Sequence, residues 1–157
     1  IGTCLVGSEM CIRDRNLIYT KDKKAGILDF QDAVIGPIGL DLASLFKDLY
    51  YDWPEEKIVD WYSEYNEKLK RILNIELNLE LLVKFIDFAS IQRQVRILGK
   101  LSQVYEQLNR LERLKDFHKL INYLKNTSKK YSELENFSCS IAILQEPLKI
   151  KLEKIFS

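Results

Sequence analysis

Three oxygen-bearing side chains stand near the start of the chain: Asn16, Asp29 and Asp32. Asp29 ends an otherwise apolar run, Ala25-Gly26-Ile27-Leu28, and Asp32 follows three residues later. Asn16 opens a second β-prone run, Leu17-Ile18-Tyr19-Thr20. In a hairpin the first residue of one strand lies beside the last residue of the other, which brings Asn16 near Asp29. An amide oxygen and a carboxylate meeting there suit a hard cation such as Mg²⁺, which prefers oxygen ligands and keeps waters that phosphate oxygens can replace. The same residue types also serve as plain turn and cap residues, and their spacing alone does not choose between the two uses.

The elements that must position these residues follow from pattern. Residues 16–30 read as a hairpin with Lys21-Asp22-Lys23-Lys24 as its polar connection. Ile35-Gly36-Pro37 punctuates a loop, and residues 38–157 form a helical region. Its first helix runs from Ile38 to about Tyr51, with Leu42, Leu45, Phe46 and Leu49 at helical spacing. Asp52-Trp53-Pro54-Glu55-Glu56 predicts the next helix start, with Asp52 as cap. The longest signal spans Leu79 to Leu108. Leu81, Phe85, Phe88, Ile91, Val95, Leu98 and Leu101 form its seam, widened by Leu82, Ile86 and Ala89. A further helix carries Leu111, Leu114, Phe117, His118, Ile121 and Leu124 and ends or breaks at Asn126-Thr127-Ser128. Pro147 is expected to break any helix in the tail, leaving Leu148 to Phe156 as a last short one. The fold class is mainly α with one β-hairpin.

Asn16-Leu17-Ile18, then Ile27-Leu28-Asp29-Phe30-Gln31-Asp32-Ala33, then Gly36-Pro37 and Asp41-Leu42 resemble the aminoglycoside phosphotransferase family, a branch of the protein-kinase-like fold. The string Asp-Phe-Gln-Asp-Ala-x-x-Gly-Pro-x-x-x-Asp-Leu-x-Ser-Leu-x-x-Asp is closer still to the bacterial anomeric kinases of N-acetylmuramate and N-acetylglucosamine. Gln92-Arg93 followed by Leu98-Gly99 resembles a helix of the same group. The resemblance covers roughly Asn16 to Lys125. It implies the C-terminal lobe of a kinase-like fold, with the N-lobe missing from residues 16–157. It also implies Mg²⁺ and ATP as cofactors of the parent enzyme, a sugar or amino-sugar substrate and a part in cell-wall recycling. By the same resemblance Asn16 and Asp29 are the metal ligands. Asp41 caps the following helix and braces the catalytic loop. Asp48, Gln92 and Arg93 are candidates for lining the sugar pocket; a solvated helix face is the other reading of those three. The family loop reads His-x-Asp-x-x-x-x-Asn. Asp14 lies two residues before Asn16 rather than five, so no catalytic base is assigned.

Residues 5–15, Leu-Val-Gly-Ser-Glu-Met-Cys-Ile-Arg-Asp-Arg, resemble translated sequencing adapter. Residues 1–15 are therefore expected to be non-native and to lie loosely or poorly ordered. Without them Cys139 is the remaining cysteine, which suits a reducing cytoplasm.

Composition narrows the rest. With 157 residues, 46% of them hydrophobic, the chain can bury a core and is not disordered. A net charge of +1 gives no electrostatic footprint for nucleic acid. No apolar run approaches the roughly 18 residues of a membrane span. A single histidine, His118, excludes a multi-histidine metal site within this chain, and it reads as a core or surface residue. Cys139 has no nearby base in sequence and reads as an inert thiol. Trp53, Trp61, Tyr62 and Tyr65 read as core packing ahead of a sugar-stacking platform. Oligomeric state is not legible. Two functions stay open: an inactive fragment of an amino-sugar kinase, or a non-catalytic helical binding module or pseudokinase of the same fold.

Overall fold

Strands β2 (Leu17–Tyr19) and β3 (Ala25–Ile27) pair antiparallel, with Leu17 opposite Ile27 and Tyr19 opposite Ala25. The Thr20 amide donates to the Lys24 carbonyl at 2.9 Å, and the Lys23 amide to the Thr20 carbonyl at 3.0 Å. Lys23 takes the left-handed conformation, φ 58°, that closes this connection. In the computed structural model, residues 3–6, 17–28, 34–47, 51–108 and 114–156 are described. A second antiparallel pair joins β1 (Thr3–Val6) to β4 (Val34–Pro37). The expectation of a single hairpin, and of a loosely lying segment 1–15, is corrected here for Thr3–Val6. Thr, Val and Ile favour a pleated backbone, and the β4 edge offers unpaired backbone groups to it.

Five α-helices follow: α1 (Leu40–Phe46), α2 (Glu55–Leu73), α3 (Leu79–Leu108), α4 (Asp116–Ser128) and α5 (Glu135–Phe156), with a 3₁₀ turn at Ser132–Leu134. The chain divides into two compact units, Ile1–Ser90 and Ile91–Ser157, and α3 contributes to both. In the first unit, Ile38, Leu42, Ala43, Ile58, Tyr62, Leu69, Leu82, Ile86 and Ala89 make one core. In the second, Ile91, Ile121, Leu124 and Ile141 make another, with Leu98, Leu134, Phe137 and Leu148 packed against it.

The bounds of α3 are those read from sequence, and Ile91 and Leu101 of the predicted seam are buried together with Leu82, Ile86 and Ala89, but over its first turns the buried face is shifted by one residue. Leu82 and Ile86 are fully buried, whereas Leu81 is 38% and Val95 42% exposed. The N-cap of α3 is Asn78, whose Oδ1 accepts the Leu81 amide at 2.6 Å. At the head of α2, Pro54 rather than Asp52 is the cap residue, and no side chain caps it. Proline's fixed φ suits that position and its missing N–H costs nothing there. The C-terminus of α2 ends on Asn74 in the left-handed region, φ 54°. Just beyond, Lys70 bonds Glu76 at 2.7 Å and holds its carboxyl below the usual range.

Pro147 does not break α5, contrary to the sequence reading. Proline removes the bond its N–H would have made to the carbonyl of Ile143. Ile143 is 74% exposed and Pro147 is exposed, so water reaches that face of the helix. Gln145, two residues before Pro147, also ties α5 to α4. Lys125 donates to Gln145 Oε1 at 2.6 Å, and Gln145 Nε2 donates to Asn122 Oδ1 at 2.8 Å.

Two glycines differ sharply. A Cβ on Gly39 would stand 2.6 Å from the carbonyl carbon and oxygen of Phe85 and 2.7 Å from the Ile86 nitrogen. A Cβ on Gly99, inside α3, would meet nothing within 4 Å. Gly39→Ala should therefore destabilise by about 1–3 kcal/mol through overpacking. Gly99→Ala should stabilise by about 0.5–1 kcal/mol through helix propensity. Opposite shifts of the denaturant midpoint are the expected outcome. In the same assay Ile86→Ala should cost about 2–5 kcal/mol. Leu81→Ala should cost far less, and equal losses would contradict the shifted face.

Candidate functional site

The end of the hairpin closed by the Leu17–Ile27 pair is the end from which the chain runs on toward Asn16 and toward Asp29. Asn16, Asp29 and Asp48 themselves lie outside the described residues. The proposed convergence of Asn16 and Asp29 on one cation therefore rests on the strand register and the resemblance. Among the described residues no group of three His, Cys, Asp or Glu could hold a metal ion.

Around that end the hairpin keeps large apolar groups in solvent. Ile18 and Leu28 are each 46% exposed. Gly26 pairs with Ile18, and its missing side chain lets Ile18 lie across it: an added Cβ would come within 2.9 Å of Ile18 Cγ1. The loop after β4 then reaches Gly39, the cap residue of α1. Asp41 is not the cap. It sits in the first turn, half-buried and engaged, where a carboxylate complements the positive end of the helix. This corrects the capping role expected of Asp41.

On α3 the two sequence candidates separate. Gln92 is exposed to solvent, whereas Arg93 is only 4% exposed and engaged. Adjacent helical residues are about 100° apart, so one of a pair faces out when the other faces in. The sequence reading missed Asp87, Ser90 and Gln94, all buried. Their spacing of three and four residues marks one face of the helix, a signal that was present in the sequence. The Ser90 hydroxyl donates to the Asp87 carbonyl at 2.7 Å.

Between α1 and α2 five aromatic side chains interlock. Phe46 stacks on Trp61 at 5.2 Å and 22° and meets Tyr62 edge-on at 5.7 Å. Trp53 meets Trp61 at 5.1 Å and 84° and Phe46 at 6.4 Å and 75°. Its Nε1–H donates to the Leu45 carbonyl at 3.3 Å. Tyr51 leans on Trp53 at 4.4 Å and 57°. Tyr62 is buried and Trp53, Trp61 and Tyr65 are half-buried, which is core packing. His118 is exposed and lines a shallow groove with Leu114, Lys115, Lys149, Leu152 and Glu153 in the second unit. Cys139 is free and exposed. Among the described residues no helix is long and apolar enough to cross a membrane.

Comparison with known proteins bears on the same segment. The model of the phosphotransferase enzyme family matches residues 12–73. An N-acetylmuramate/N-acetylglucosamine kinase of Neisseria meningitidis serogroup B is 31% identical over 121 residues, 76% of this chain and 36% of that protein. A protein of the same name from Pseudomonas putida is 27% identical over 132 residues, 83% of this chain and 39% of that protein. The chain thus spans little more than a third of these relatives' length. No solved structure matches it significantly. Residues 12–73, which hold the hairpin, β4, α1 and α2, are thus the part of the chain that is similar to the phosphotransferase enzyme family.

Proposed function

We propose that the chain is the C-terminal part of an ATP-dependent phosphotransferase that acts on an amino sugar at its anomeric hydroxyl. N-acetylmuramate or N-acetylglucosamine is the acceptor in this reading, and the cytoplasm is its place of action. The observation that carries it is the Leu17–Ile27 pairing. That register runs the two strands out at one end toward Asn16 and Asp29, the residues the family resemblance makes Mg²⁺ ligands. Mg²⁺ held there would neutralise charge on the phosphates of the nucleotide. Asn16 would offer an amide oxygen and Asp29 a carboxylate, the donor types the ion prefers.

The exposed Ile18 and Leu28 support the same reading. Leu28 directly precedes Asp29 and Ile18 lies two residues after Asn16, and the pair offers an apolar surface on which a nucleobase could rest. A two-stranded hairpin is marginal alone. In a protein about twice as long as this chain, as the relatives are, further chain is available to cover it. The kinase reaction depends on positioning and charge neutralisation, so a missing part is decisive. Cys11 rather than an Asp stands five positions before Asn16, so the place of the family's base is not filled in this chain. The chain by itself is therefore inactive.

Both halves can be tested on the purified protein. Mn²⁺, used as a probe for Mg²⁺, should enhance water-proton relaxation with the wild-type chain. The Asp29→Asn variant should lose most of that enhancement. Equal enhancement in both would contradict Asp29 as a ligand. With Mg·ATP and either sugar, ADP release should stay at background. Turnover that Asp14→Asn abolishes would overturn the fragment reading, because Asp14 would then be the base.

A further inference from the structure

Resting on the amino-sugar reading above, we infer that Tyr51, braced from behind by the packed Trp53, offers a stacking face for the apolar side of a pyranose ring. Trp53 is held rigidly. Its indole N–H is bonded to the Leu45 carbonyl at 3.3 Å, and Phe46 and Trp61 meet its ring nearly perpendicular, at 75° and 84°. Tyr51 is braced against this fixed ring at 4.4 Å, yet 57% of it remains in solvent. Burial explains Tyr62 in the same cluster, which is 3% exposed, but not Tyr51. An aromatic ring that adds little to the core, and that is already braced, loses little freedom when a ligand covers it.

The chemistry of the ligand follows from that surface. A pyranose chair with mostly equatorial substituents turns its axial C–H groups to one side. Those weakly positive hydrogens complement the negative face of an aromatic ring. The tyrosine hydroxyl, which both donates and accepts, can meet a sugar hydroxyl at the rim. Along the chain Tyr51 follows Asp48, a sugar-lining candidate by resemblance, by three positions.

The chain has two tryptophans, Trp53 and Trp61, and both belong to this cluster. Tryptophan emission therefore reports on it directly. Titration of the 157-residue chain with N-acetylglucosamine or N-acetylmuramate should shift the emission saturably. Tyr51→Ala should bind roughly three- to tenfold more weakly. Tyr51→Phe should stay close to wild type, because the ring and not the hydroxyl does the stacking. Circular dichroism checks that each variant is folded. Equal affinity in Tyr51→Ala and wild type would overturn the stacking face while leaving the amino-sugar reading intact, since the sugar would then bind elsewhere. A wild-type chain that binds neither sugar would also overturn it; the Mn²⁺ experiment judges the phosphotransferase reading separately.

Discussion

The first unit depends on one close approach of backbone to backbone. Gly39 lies against the peptide between Phe85 and Ile86 so tightly that a single methyl group would collide with it. That contact seats the junction of β4 and α1 on α3. Ile38, Leu42 and Ala43 on one side, and Leu82, Ile86 and Ala89 on the other, can then close one core. The consequence reaches the candidate site. β3 and β4, which flank the acidic motif in sequence, are both paired. In the proposed reading, paired strands on both sides support a metal-binding carboxylate.

Much of this was legible in the residues. The bounds of α3 follow from thirty residues of helical period, and the hairpin from two β-prone runs around a charged connection. The general face of α3 was legible, since Leu82, Ile86, Ala89, Ile91 and Leu101 are buried. Which member of each adjacent apolar pair, Leu81 and Leu82, Phe85 and Ile86, or Phe88 and Ala89, is the more buried was not, because periodicity fits either. Leu82, Ile86 and Ala89 are the ones that join the core with Leu42 and Ala43 of α1 and Ile58, Tyr62 and Leu69 of α2. Pro147 misled for a different reason. Its cost is local, and its exposed position together with the Gln145 bridges to α4 offsets it.

The site was readable mostly as motif. Nothing in composition distinguishes Asp29 from a turn residue; the order of residues from Asp29 to Asp48 does, because it resembles one family, and the family match covers the same stretch. The helical candidates were less readable. Gln92 and Arg93 stand side by side in the chain but differ entirely in burial. The buried polar set Asp87, Ser90 and Gln94 needed the helix face to be known first. Within that set the Ser90 hydroxyl is satisfied by the Asp87 carbonyl, as a buried hydroxyl requires.

The central claim is that Asp29 belongs to the phosphate-handling centre of an amino-sugar kinase. It is tested most directly on the complete gene product from which this chain derives, assayed with Mg·ATP for sugar-dependent ADP release. The account predicts turnover with N-acetylmuramate or N-acetylglucosamine that Asp29→Asn abolishes while the fold is kept. Sugar-dependent turnover that survives Asp29→Asn, or a folded full-length protein that releases no ADP with either sugar, would contradict it.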